Sequence, residues 1–125
     1  MFHLASVIGE EIPVWNSQDE FGDTNMLVDS REMGLSLARK LGRGRCALLR
    51  GHGAVCAAES IAGACLVSIY MKENAELVLN ALPMSSEPEY LTPGEISKTS
   101  AMLLGEMPLA RAWDYYKSRA GFAGL

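Results

Sequence analysis

The sequence predicts an α/β domain, and three features predict it. Two short apolar runs, Cys46–Arg50 and Ala54–Ala57, flank a Gly51-His52-Gly53 tripeptide, the pattern of a buried strand, a tight connection and a returning strand. Met33, Leu37 and Leu41 recur at helical spacing, and Ser60 to Leu82 is long enough for a second, longer helix. Thr92-Pro93-Gly94-Glu95 then forms a capping box with proline at the first helical position. The expected architecture is about three short, mostly antiparallel strands layered with about four helices. A chain of 125 residues, 49% hydrophobic and 21% charged, fits one globular domain with no compositionally disordered tail.

Each element has a local reason. Met1–Glu10 is apolar and stops at Gly9, and Glu11–Trp15 reads as a short strand that Pro13 confines to a sheet edge or a strand start. Asn16–Asn25 is the most polar stretch and reads as loop. Asp29 or Ser30 can cap a helix running to Leu41, where Gly42 supplies the stop and Gly44 reinforces it. In the long helix, Ala64, Cys65, Ser68, Ile69, Lys72, Ala75, Leu79 and Leu82 step along one side, and Pro83 follows its end. The capping box opens a helix to about Leu104. A last helix after Glu106 or Pro108 carries Leu109, Ala112, Trp113 and Tyr116. Three strands against four helices leave one face or edge thinly supported, which suggests a piece of something larger.

Composition narrows the partners. The net charge is −4 and the basic residues gather only at Arg39, Lys40, Arg43, Arg45 and Arg50. An acidic chain without a coherent positive surface does not suit nucleic acid, and cations near a helix C-terminus explain the local cluster. The longest apolar run, Ile61–Met71, is far short of the ~20 residues a membrane span needs. Cys46, Cys56 and Cys65 are odd in number and lack C-x-x-C spacing, which suits reduced thiols in a cytoplasmic protein rather than a disulfide framework. The opening "MFHLASVIGEE" has no basic segment of the kind that begins a secretory signal.

The Gly51-His52-Gly53 turn is the chemical centre of the sequence. Glycine opens backbone angles closed to other residues and lets a ligand approach closely, so Gly51 and Gly53 would hold His52 on a constricted turn with its ring accessible. Such an imidazole can ligate zinc, cobalt, nickel or iron, or it can be simply the tip residue of a hairpin. His3 is the only other histidine, and no H-x-H or H-E-x-x-H occurs. Asp19, Glu20 and Asp23 form an acidic loop whose order does not match a calcium loop, so they read as a solvated surface.

Pro13 to Leu77, and above all "ALLRGHGAVCAAES" followed by the helix with "YMKENAEL", resembles the C-terminal half of class II aldolase/adducin domains. The family more often has asparagine before the histidine, where this chain has Gly51. "RGHG", "FHLASVIGE" and "YLTPGEI" are closer to the branch that decarboxylates hydroxylated aromatic or pyridine carboxylates than to the sugar-phosphate aldolases. The resemblance implies a partial three-layer α/β/α domain over residues 1–125. It also implies a divalent metal, zinc first with manganese, cobalt or iron as alternatives, held by three histidines. His52 maps onto one of them. The other two, an H-x-H pair, and an upstream carboxylate would lie before Met1.

The same resemblance implies a metal-dependent lyase acting on a small molecule, by aldol cleavage or decarboxylation, in a homotetramer. Both reactions leave an electron pair on a carbon beside an oxygen that a Lewis acid can hold. Arg50 could clamp a substrate carboxylate or be an ordinary strand-end arginine, and His3 could approach the substrate or be incidental. Tyr115 and Tyr116 read as helix-packing rings and Glu73 as a helix-face charge. Two other functions compete: an adducin-like association domain without catalysis, and a truncated product inactive by itself.

Overall fold

The computed structural model describes residues 2–85 and 87–122. In chain order it contains a 3-10 helix (His3–Ile8), β1 (Val14–Trp15), α1 (Gln18–Phe21), α2 (Arg31–Leu41), β2 (Cys46–Leu49), β3 (Gly53–Cys56), α3 (Ile61–Ala81), α4 (Pro93–Leu103) and α5 (Glu106–Arg119). The strands form one sheet in the order β1-β2-β3. β2 and β3 are antiparallel with Cys46 opposite Cys56 and Leu49 opposite Gly53, and β1 adds two residues in parallel to β2. Pro13 lacks a donor but its carbonyl accepts from the Leu48 amide at 2.9 Å, so the strand can begin at the sheet edge immediately after the proline.

Helix starts follow the side chains that cap them. The Ser30 hydroxyl accepts from the Met33 amide, Ser60 accepts from Gly63, and Thr92 and Glu95 complete a reciprocal capping box. The sequence-based bounds of these helices therefore agree with the structure to within a residue or so.

The sheet is sandwiched, which gives the three layers. One face packs Trp15, Leu49 and half-buried Val55 against Met33 and Leu37 of α2. On the other face Cys46 lies under Ala5, Val7 and Ile8 of the 3-10 helix and Leu66, Val67 and Tyr70 of α3. Trp15 ties the α2 side together: its indole N–H donates to Ser36 Oγ at 2.9 Å, and Ser36 donates to Glu20 Oε1 at 2.7 Å.

Three differences from the sequence reading are informative. The apolar start of the chain is a 3-10 helix, and the polar stretch after Trp15 contains the short α1. The buried side of α3 is Gly63, Leu66, Val67 and Tyr70, not the row from Ala64 to Leu82; Ser68 and Lys72 are exposed, and Leu79 keeps 67% of its surface open. The reason is that α3 is apolar nearly all round over its first half, so spacing alone does not select the side that meets the sheet.

Candidate functional site

β2 and β3 are joined by a tight turn in which the His52 amide donates to the Leu49 carbonyl at 3.0 Å. Gly51 takes φ +69°, the positive angle that the third position of a type II turn requires, and Gly53 takes φ +150°. The turn is also packed from below: a β-carbon on Gly51 would lie 2.9 Å from Met26 Sδ. Met26 has φ +63° and is the non-glycine residue with positive φ among the described residues, so backbone strain is concentrated against this turn. Thr24 Oγ1 accepts from the Met26 amide and Asn25 Oδ1 from the Leu27 amide, which holds the strained residue in place.

The outcome is an exposed imidazole. The His52 ring has no hydrogen-bond or ion-pair partner among the described residues, and it lines none of their principal clefts. Arg50, on the other side of Gly51, is exposed and reaches Gln18 Oε1 at 3.4 Å and Asn16 Oδ1 at 3.5 Å, so the segment after β1 steers its guanidinium. His3 lies on the 3-10 helix with its ring edge-on to Phe2. No hydrogen bond, ion pair or ring contact joins His3 to the His52 turn among the described residues. The structure thus brings His52, Arg50, Gly51 and Gly53 together and leaves His3 with a different neighbourhood.

The other singled-out residues have internal partners. Glu20 accepts from Ser36 and pairs with Arg39 at 3.2 Å, Asp19 accepts from Asn16, and Asp23 accepts from Gln18. Arg45 donates to the Val7 carbonyl and to Ser100. Tyr116 packs on Tyr70 and Tyr115, and burial followed by the Glu73 charge pushes its hydroxyl up to about 12. Met26, Asn16 and Gln18 are the residues around the turn that sequence reasoning missed. A methionine in a left-handed conformation carries no compositional signal, whereas the asparagine and glutamine were visible only as polar loop.

A catalytic zinc-type ion takes three protein ligands and keeps one position open. Among the described residues no group of three His, Cys, Asp or Glu side chains could hold a metal ion. These residues alone therefore do not fit a complete metal site, and His52 stands as a single exposed donor.

The fold and the turn define a layered α/β/α domain that presents one histidine from a glycine-flanked hairpin. The family model of the class II aldolase and adducin N-terminal domain matches residues 2–79, the span from the 3-10 helix to near the end of α3. The chain belongs to that family, whose members usually use a divalent metal. No curated protein matches it. Among the described residues no helix is long and apolar enough to cross a membrane.

Proposed function

We propose that these residues are the C-terminal portion of a metal-dependent lyase domain that cleaves a carbon–carbon bond in a small hydroxylated substrate, by aldol cleavage or by decarboxylation. The observation that carries this reading is His52 itself. Two glycines and a strained Met26 are committed to holding an imidazole that the fold neither buries nor hydrogen-bonds, a costly arrangement for a hairpin tip with no ligand. In this reading His52 is one ligand of zinc or another divalent ion, and preceding polypeptide supplies the remaining ligands. Arg50 meets a substrate carboxylate with its planar fork. His3 takes part in this reading only if that preceding polypeptide or a neighbouring subunit of a homo-oligomer bridges it to the turn. Free thiols at Cys46, Cys56 and Cys65 accord with a cytoplasmic setting.

The test is the metal content of the protein isolated from its source without chelators, compared with a His52→Ala variant. The native protein is expected to retain a divalent ion and the variant to lose it; equal content in the two would overturn the reading. In-frame DNA upstream of Met1 is expected to encode the H-x-H pair.

A second reading, an association domain without catalysis, is favoured by one specific observation. Ile61, Met84 and Met107 keep 78%, 88% and 80% of their surfaces exposed, and Val14, Leu48 and Ala54 form an open apolar row across the sheet. Absence of metal from both proteins, with stable self-association, would select it.

A further inference from the structure

At the root of the hairpin, Cys46 and Cys56 face each other directly across β2 and β3. The Ala57 amide donates to the Arg45 carbonyl at 2.8 Å one residue outside this pair. Hydrogen-bonded and non-hydrogen-bonded pairs alternate along an antiparallel ladder, so Cys46 and Cys56 occupy a non-hydrogen-bonded pair, the kind whose side chains lie closest. Their Sγ atoms are 3.5 Å apart, and Met71 Sδ of α3 lies 4.0 Å from Cys56 Sγ. All three cysteines are free thiols. The α-carbon spacing of such a pair, about 4.5 Å, lies within the range a disulfide spans, and rotation about the two side chains would bring the sulfurs to the bonding distance of about 2.05 Å.

We infer that Cys46 and Cys56 form a reversible cross-strand dithiol–disulfide couple, oxidised by small organic disulfides of the glutathione type, which locks the hairpin that carries His52. The inference rests on the sulfurs and stands whether or not His52 binds a metal. Cys56 is half-buried on the outer strand of the sheet and Cys46 is fully buried. Burial, reinforced by the neighbouring Cys56 thiol, pushes the Cys46 thiol up to about 12. Cys56 is accordingly the first nucleophile. Its thiolate attacks one sulfur of the small disulfide, the S–S bond breaks, and the leaving thiolate takes up the proton that Cys56 lost. Cys46 then gives up its proton and attacks Cys56 Sγ in the mixed disulfide, expelling the second small thiolate, which that proton neutralises. The protein dithiol loses two electrons and two protons, and the small disulfide becomes two thiols. The new bond links positions ten apart and encloses the whole His52 turn.

The experiment is equilibration of the folded chain in buffers of rising ratio of oxidised to reduced glutathione, followed by acid quenching, alkylation and peptide mass mapping. The expected result is a peptide pair containing Cys46 and Cys56 that is lighter by two hydrogens and resists alkylation until a reductant is added, with Cys65 alkylated throughout. Cys56→Ser should abolish the product and Cys65→Ser should leave it unchanged. Circular dichroism before and after oxidation should coincide. Several results would overturn the inference: Cys46 and Cys56 still alkylated at the most oxidising ratio, a Cys56–glutathione adduct that never resolves, closure only in denaturant, or protection that a chelator reverses without a mass change, which would indicate a soft metal ion.

Discussion

At its root the β2–β3 hairpin buries Cys46 completely beneath Leu66, Val67 and the 3-10 helix, whereas at its turn Arg50, Gly51, His52 and Gly53 are all exposed. The two ends are the same two strands a few residues apart. The root is held by apolar burial from two helices, which is large, non-directional and indifferent to chemistry at the tip. The turn is held by backbone geometry: one amide-to-carbonyl bond, two glycines with positive φ, and Met26 pressed against Gly51. The difference teaches that this hairpin separates stability from presentation. Its root anchors the sheet, and its tip is free to display an imidazole without loss of core.

Substitutions should reveal that separation in order of size. Leu66→Ala, at the root, opens a cavity under the sheet and should destabilise the protein by about 2–5 kcal/mol in urea unfolding. A loss no larger than that of a surface change would mean that α3 does not anchor the hairpin. Gly51→Ala should cost about 1–2 kcal/mol for the left-handed angle, and its β-carbon must also displace the Met26 thioether. Gly53→Ala meets no neighbour within 4 Å, but its φ of +150° is one that L side chains rarely adopt, so it should also destabilise the hairpin, through backbone strain alone. Trp15→Phe removes the bond to Ser36 and should cost about 1 kcal/mol. His52→Ala should change stability by no more than about 0.5 kcal/mol, because nothing in the fold depends on that ring. A large thermal shift in His52→Ala would erase the contrast between root and tip.

Much of this was legible in the residues. α2, α3 and α4 were predicted nearly to the residue because their starts are local: Ser30, Ser60 and Thr92 each accept from an amide three positions ahead. The hairpin and its glycine-flanked histidine were equally readable, since a type II turn advertises its glycine. Edge placement of β1 followed from Pro13. The 3-10 helix His3–Ile8 was not readable, because its apolar residues are shared by strands and buried helices alike and only α3 and α4 packing against it define its shape. The buried side of α3 was not readable for a related reason, its first half being apolar on every side.

By itself the sequence determined the boundaries of α2, α3 and α4, the hairpin with its glycine-flanked histidine, and the family, because these rest on interactions between residues three or four apart or on a contiguous motif. Tertiary structure alone decided which side of α3 meets the sheet, that Met26 props Gly51, that Asn16 and Gln18 reach Arg50, and that Cys46 opposes Cys56. Each of these depends on register and packing between segments distant in the chain. Such contacts form only when burying the two faces of the sheet selects one arrangement among many of similar local energy.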